Sequence, residues 1–119
     1  MKQIPPQVQN QIAQFQQLQQ QLQVLATQRL QLEAKLREVE GTLEELGKVG
    51  ADTPVYRSTG SLLIRVEDRG SLAKELEEQK ETLGIRVNTI KKQEKSLGER
   101  YEQLQQKLSQ ALEGGPGAS

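Results

Sequence analysis

The strongest constraint on this chain is a line of apolar residues spaced alternately three and four apart. It runs through both halves and breaks only near the middle. In the first half Val8, Ile12 and Phe15 open it, and Leu25, Leu32, Leu36, Val39, Leu43 and Leu46 continue it, with Arg29 filling one slot. In the second half Leu76, Leu83, Val87, Ile90, Leu97, Tyr101, Leu104, Leu108 and Ala111 repeat it, with Lys80 and Glu94 in intervening slots. Leu72 or Ala73 starts this second stripe. This spacing is the heptad pattern of a coiled coil. The phase slips once, by a three-three step through Ile12, Phe15 and Leu18, after which Leu22 and Leu25 carry the stripe on, and this predicts local overwinding. As a helix, Val8 to Leu46 spans about 58 Å. A stripe this narrow does not secure a lone helix in water. Its partner is the second helix of the same chain, another subunit, or both.

Composition agrees with a thin seam. Apolar residues make up 34% of the 119, below the roughly 45–50% of a globular domain. The aromatics are Phe15, Tyr56 and Tyr101. Sixteen basic and sixteen acidic side chains cancel, so no bulk field would hold nucleic acid or an anionic membrane. There is no Cys and no His, which removes thiol chemistry and the commonest metal ligand and proton carrier. No apolar run reaches a membrane-spanning length, and the polar start MKQIPPQVQNQ does not read as a signal peptide; a cytoplasmic protein is expected. Carboxylates and lysines lie in periodic helical runs, where they form solvated faces, and no glycine-rich phosphate loop is present. No enzyme activity and no cofactor are expected.

Charge is unevenly distributed. Between Met1 and Gln28 the only charged side chain is Lys2, and the polar positions of QVQNQIAQFQQLQQQLQ are almost all glutamine. This is either a neutral solvated face or a surface with adaptable hydrogen bonding and no charge to repel a partner.

Pro5 and Pro6 suit a helix start. Gly47, Gly50, Asp52 and Pro54 punctuate its end. VYRST and SLLIRV then read as two strands turning at Gly60. Leu62, Ile64 and Val66 share one strand face, and Leu63 and Arg65 the other. One hairpin alone is marginal in water, and its edges invite pairing. Either it folds over its own helices or hairpins from several subunits join into a common sheet or barrel. Two thin helices offer little surface for the first solution, which favours the second. Ser71 is the expected N-cap of the second helix. Gly84 and Gly98 lie inside that helix, for close approach or bending, and EGGPGAS ends it.

The expected fold is mainly α: a long antiparallel coiled-coil hairpin with a central β-hairpin that oligomerises. Residues 1–50 form the first coiled-coil segment, 51–70 the linker and β-hairpin, 71–112 the second coiled-coil segment and 113–119 a flexible tail. The distal end then carries Ile4, Val8, Ile12, Phe15 and Leu18 beside Leu104, Leu108, Ala111 and Leu112.

Three stretches carry a family resemblance over essentially the whole chain: PPQVQNQIAQFQQLQQQLQ at the start, LEEL at Leu43–Leu46, and DTPVYRSTGSLLIRV from Asp52. They resemble the prefoldin family, in its archaeal β class. The resemblance implies an ATP-independent holdase in a hexamer of two α and four β subunits, whose hairpins build a β-barrel platform. It implies that coiled-coil tips capture non-native proteins and deliver them to a group II chaperonin. On this chain, Val55, Tyr56, Leu62, Leu63, Ile64 and Val66 would be platform residues, and Ile12, Phe15, Leu18, Leu104, Leu108 and Leu112 client-facing ones. The alternative is a purely structural coiled-coil oligomerisation or tethering protein. Gly84 and Gly98 depart from the family's habits, since better helix formers are expected there.

Overall fold

The computed structural model describes residues 4–114. Helix α1 spans Pro6–Lys48, strand β1 Tyr56–Thr59, strand β2 Leu62–Arg65 and helix α2 Arg69–Gly114. Most of the expected tail, residues 115–119, lies outside the described residues. The chain divides into two compact units, one built from residues up to 30 and from 88 onward, the other from residues 31–87.

In the first unit, segments of α1 and α2 pack antiparallel. Arg29 bonds Glu94 across the seam at 2.6 Å, and nearer the chain ends Phe15 stacks on Tyr101 with ring centroids 4.5 Å apart. Leu18 and Leu108 are buried there, and Val8, Leu22, Leu25, Ile90, Leu97 and Leu104 are half-buried. Gln11 and Ile12 are both half-buried. With Gln11 in the seam, the spacing Val8, Gln11, Phe15, Leu18, Leu22 keeps an unbroken three-four alternation. The expected three-three slip therefore arose from assigning the slot to Ile12 by its apolarity alone. The Arg29–Glu94 pair fills two of the three polar slots that the sequence placed in the seam, and it ties one register to an otherwise repetitive stripe.

In the second unit, Val39, Leu83 and Val87 are the buried residues, at 4–8% exposure. Leu32, Leu36, Leu43, Leu46, Leu72 and Leu76 are half-buried. Lys80, expected in the seam, is exposed; a lysine stem can run along the apolar edge while its ammonium stays in water.

Strands β1 and β2 pair antiparallel with Thr59 opposite Leu62 and Tyr56 opposite Arg65. The Val66 N–H donates to the Val55 carbonyl at 2.8 Å, extending the ladder by one rung. The connection is the two residues Gly60-Ser61. Gly60 has φ 59°, and no described non-glycine residue has positive φ. Positive φ at the first central position alone is the mark of a type II′ turn, which matches the twist of the strands it joins.

The start of α2 differs from expectation. The Asp68 carboxylate accepts the Ser71 N–H at 3.0 Å, and the Asp68 carbonyl accepts the Leu72 N–H at 3.2 Å. Asp68 is therefore the N-cap, and Ser71 lies in the first turn. Both residue types cap well; the chain uses the earlier one. Arg69 then reaches back to the end of α1. Its guanidinium donates to the carbonyls of Gly50 at 2.6 Å, Val49 at 3.2 Å and Leu46 at 3.4 Å. Carbonyls at a helix end lack intrahelical partners, and one side chain here satisfies several.

Helix α2 runs unbroken through Gly84 and Gly98, and a Cβ placed at either would meet nothing within 4 Å. Close helix approach within this chain is therefore not what these glycines serve. Gly84→Ala and Gly98→Ala are each expected to stabilise the fold by about 0.5–1 kcal/mol. Urea unfolding at fixed protein concentration checks this; a lowered midpoint in either variant would point to a contact made only in an assembly.

Candidate functional site

Two surfaces stand out, one in each unit. The first is the β-hairpin. Cross-strand partners share a face, so Val55, Arg57, Thr59, Leu62, Ile64 and Val66 lie on one side and Tyr56, Ser58, Leu63 and Arg65 on the other. Of the six residues expected to serve assembly, Val55 and Val66 are half-buried at the base of the hairpin. The other four are open to solvent: Tyr56 at 56%, Leu62 at 63%, Leu63 at 73% and Ile64 at 47%. The helices of this chain do not seal the hairpin. Among the described residues the sheet consists of β1 and β2, and neither outer strand edge carries a further strand.

What the chain does supply is orientation. Arg57 on β1 makes a two-pronged pair with Glu75 on α2, at 3.0 and 3.1 Å. A guanidinium and a carboxylate joined by two parallel bonds fix an angle as well as a distance. Beside it, Leu46, Val49, Val55, Tyr56, Leu72 and Leu76 help line an open groove of about 410 Å³. The Arg57–Glu75 pair and the Arg69 clamp thus hold an apolar hairpin at a set attitude while leaving its outer surface uncovered. Neither long-range contact has a signal in the local sequence pattern.

The second surface lies in the other unit, toward the chain ends. Of the residues expected to face a client, Leu112 is exposed at 62%, while Leu18 and Leu108 are buried at 6% and 7%. Ile12, Phe15 and Leu104 are half-buried. Ile4 adds a further exposed side chain at 43%. The structure thus divides the six residues between an open edge and a closed seam. Heptad spacing does not make that division, because seam and edge leucines share the same identity. Among the described residues of α1 before Arg29, none is charged.

No group of three or more His, Cys, Asp or Glu among the described residues could hold a metal ion, and no described helix is long and apolar enough to cross a membrane.

Comparison with known proteins covers nearly the whole chain. A family model described as prefoldin subunit matches residues 9–115. The prefoldin subunit beta of Archaeoglobus fulgidus is 53% identical over 112 residues, covering 94% of this chain and 96% of that one. Its counterpart from Thermoplasma volcanium is 52% identical over 98 residues, 82% of this chain and 79% of the relative. The crystal structure of the prefoldin beta subunit from Thermococcus strain KS-1 superposes with a TM-score of 0.82 at 35% identity, covering 94% of this chain and 97% of that chain. The beta2 subunit from the same source shares the fold, with a TM-score of 0.68 at 23% identity.

The Arg57–Glu75 pair has a pH signature. Hydrogen bonding to Arg57, and then its charge, hold the Glu75 carboxyl below the ordinary value of 4.5; the same partner raises Arg57 above its already high value. A depressed carboxylate stabilises the fold at pH above its unfolded pKa, and that contribution is lost as pH falls through the folded pKa. Glu75→Gln is therefore expected to be less stable than the parent at about pH 7, with the difference vanishing as pH falls below 4.5 and through the lowered folded pKa. Thermal unfolding across that range tests it; a difference independent of pH would remove the pair from the account.

Proposed function

The chain belongs to the prefoldin family, as an archaeal-type β subunit, and from that premise we propose how its two surfaces divide the work of a chaperone. The hairpin docks the chain into a hexamer of two α and four β subunits, where neighbouring strands complete its edges in a β-barrel platform. Val55, Tyr56, Leu62, Leu63, Ile64 and Val66 are the assembly residues. The chain-terminal end of the other unit captures non-native proteins without ATP and passes them to a group II chaperonin. The setting is the cytoplasm.

The observation that carries capture is the exposed apolar edge of Ile4 and Leu112, on a unit whose α1 face bears no charge before Arg29. A folded protein hides its apolar surface and a non-native one exposes it. Each Å² of apolar area removed from water contributes about 25 cal/mol, so one small edge binds weakly. Several edges holding one client gain avidity while each contact still releases readily. Ile12, Phe15 and Leu104 present partial surface in the same unit. Leu18 and Leu108 support the edge from within the seam, and they reach a client only where the helices part.

Two outcomes are expected. Native mass spectrometry of the chain mixed with an α-class partner should give an α₂β₄ mass, and a chain that stays monomeric would defeat the assembly reading. In that hexamer, Leu112→Ser should weaken suppression of client aggregation without loss of helicity. Leu108→Ser should instead destabilise the coil, by about 2–5 kcal/mol if it behaves as other buried leucine truncations do. Full aggregation suppression by a correctly assembled Leu112→Ser, Ile12→Ser double variant would reject the edge as the capture surface, in favour of a tether without holdase activity.

A further inference from the structure

Within the unit that carries the chain ends, the side of the coil between Gln17 and Gln28 opens into a groove of about 720 Å³. Leu25 and Leu97, both half-buried, are its inner apolar members. Val24, 55% exposed, stands outside the seam beside them. The polar lining is almost entirely glutamine, with Gln17, Gln21 and Gln28 from α1 and Gln93 from α2, and none of its lining residues is charged. The neutrality is local, because α2 itself carries Lys91, Lys92, Lys95, Glu99 and Arg100 close by in sequence.

We propose that this groove binds a short extended segment of uncharged polypeptide, with apolar side chains on Leu25, Leu97 and Val24 and backbone groups hydrogen-bonded by the glutamine amides. The proposal rests on the holdase reading and names the kind of segment held away from the apolar edge at Leu112. A glutamine side chain carries a carbonyl acceptor and an NH₂ donor, the same pair that a peptide group carries. It can therefore answer either backbone group at any register. In a folded protein those backbone groups are already paired, so the groove selects unfolded chain by its backbone as well as by its apolar side chains. A charged client segment would lose hydration beside Leu25 and Leu97 with no opposite charge to meet it.

The dimensions agree. From Gln17 to Gln28 α1 rises about 16 Å, the length of about five residues of extended chain. A second copy of this chain is a poorer occupant, since a stable protein–protein contact needs about 800 Å² from each partner and the groove is only a few side chains wide.

The test uses the full chain, in the assembly it forms, and fluorescein-labelled eight-residue peptides read by fluorescence anisotropy. The parent peptide alternates leucine and serine; one relative is N-methylated at alternate backbone nitrogens, and another replaces serine with glutamate. The parent peptide should bind with less than about a twofold change between low and high salt, since no ion pair is screened. The N-methylated and glutamate peptides should bind about tenfold more weakly. Val24→Lys should weaken the parent peptide about tenfold, whereas Glu40→Lys, an exposed change in the other unit, should leave it within about twofold. If circular dichroism shows Val24→Lys to be misfolded, Gln28→Lys decides in its place. Equal binding of the N-methylated peptide, or no effect of the folded groove variant, overturns the proposal. So does self-association through the groove in place of peptide binding. Aggregation suppression on the same samples separates the two levels. If clients are still held while the peptide results fail, the groove alone is lost; if neither clients nor peptides are held, the holdase reading falls with it.

Discussion

Everything in this molecule depends on burying one narrow stripe from each helix. No described side chain is fully enclosed; the most buried are five aliphatic residues at 4–8% exposure. Each layer of the seam therefore consists of one or two side chains per helix, with water close on both flanks. Such a seam has no second shell to absorb an error, and its heptads are repetitive enough to permit shifted pairings. Polar contacts that specify position then matter more than their modest energies suggest. Arg29 and Glu94 meet within the apolar line at 2.6 Å. Their partial exposure, 26% and 20%, lets water share the desolvation cost that makes fully buried pairs unfavourable.

The same thinness explains how the hairpin is managed. A two-stranded sheet needs a third strand or a packing surface, and a coil with a single stripe has little surface to spare. The chain covers only the hairpin's base, through Val55 and Val66, and fixes its direction through Arg57–Glu75. Arg69 anchors the linker by gathering carbonyls at the end of α1. Rigid presentation of an uncovered apolar surface lowers the entropy lost when a partner arrives. It also leaves a solitary chain prone to nonspecific pairing, an exposure that the proposed assembly would remove.

Much of this was legible in the residues. Heptad spacing locates both helices because burial demands it at every turn, and Gly60 marks the hairpin because a type II′ turn requires positive φ at that position. Seam slots at Arg29 and Glu94 could be read from spacing, though their pairing could not. Four features escaped for identifiable reasons. Asp68 and Ser71 are both competent caps three residues apart, so composition alone does not choose between them. Gln11 takes a seam slot that apolarity assigned to Ile12. The contacts of Arg57 and Arg69 join residues 18 or more positions apart in the chain, and nothing local announces them. At the chain-terminal end, the distinction between exposed Leu112 and buried Leu108 is invisible in a pattern that treats all leucines alike.

The uncharged glutamine face also fits the strength that a holdase contact needs. Covering apolar surface contributes about 25 cal/mol per Å², and ordering each residue of a flexible client costs about 1–2 kcal/mol, so a small site needs hydrogen bonds to the client backbone as well. Glutamine amides can supply those bonds without ion pairs, whose strength would vary with every client's charge and with salt. A charged face would hold some clients too tightly and repel others. An apolar face without amides would aggregate with its own kind. The segment from Gln7 to Gln28 avoids both; on the proposed reading its monotony has a physical reason, since it would keep each contact weak, neutral and reversible and leave affinity to the number of contacts made at once.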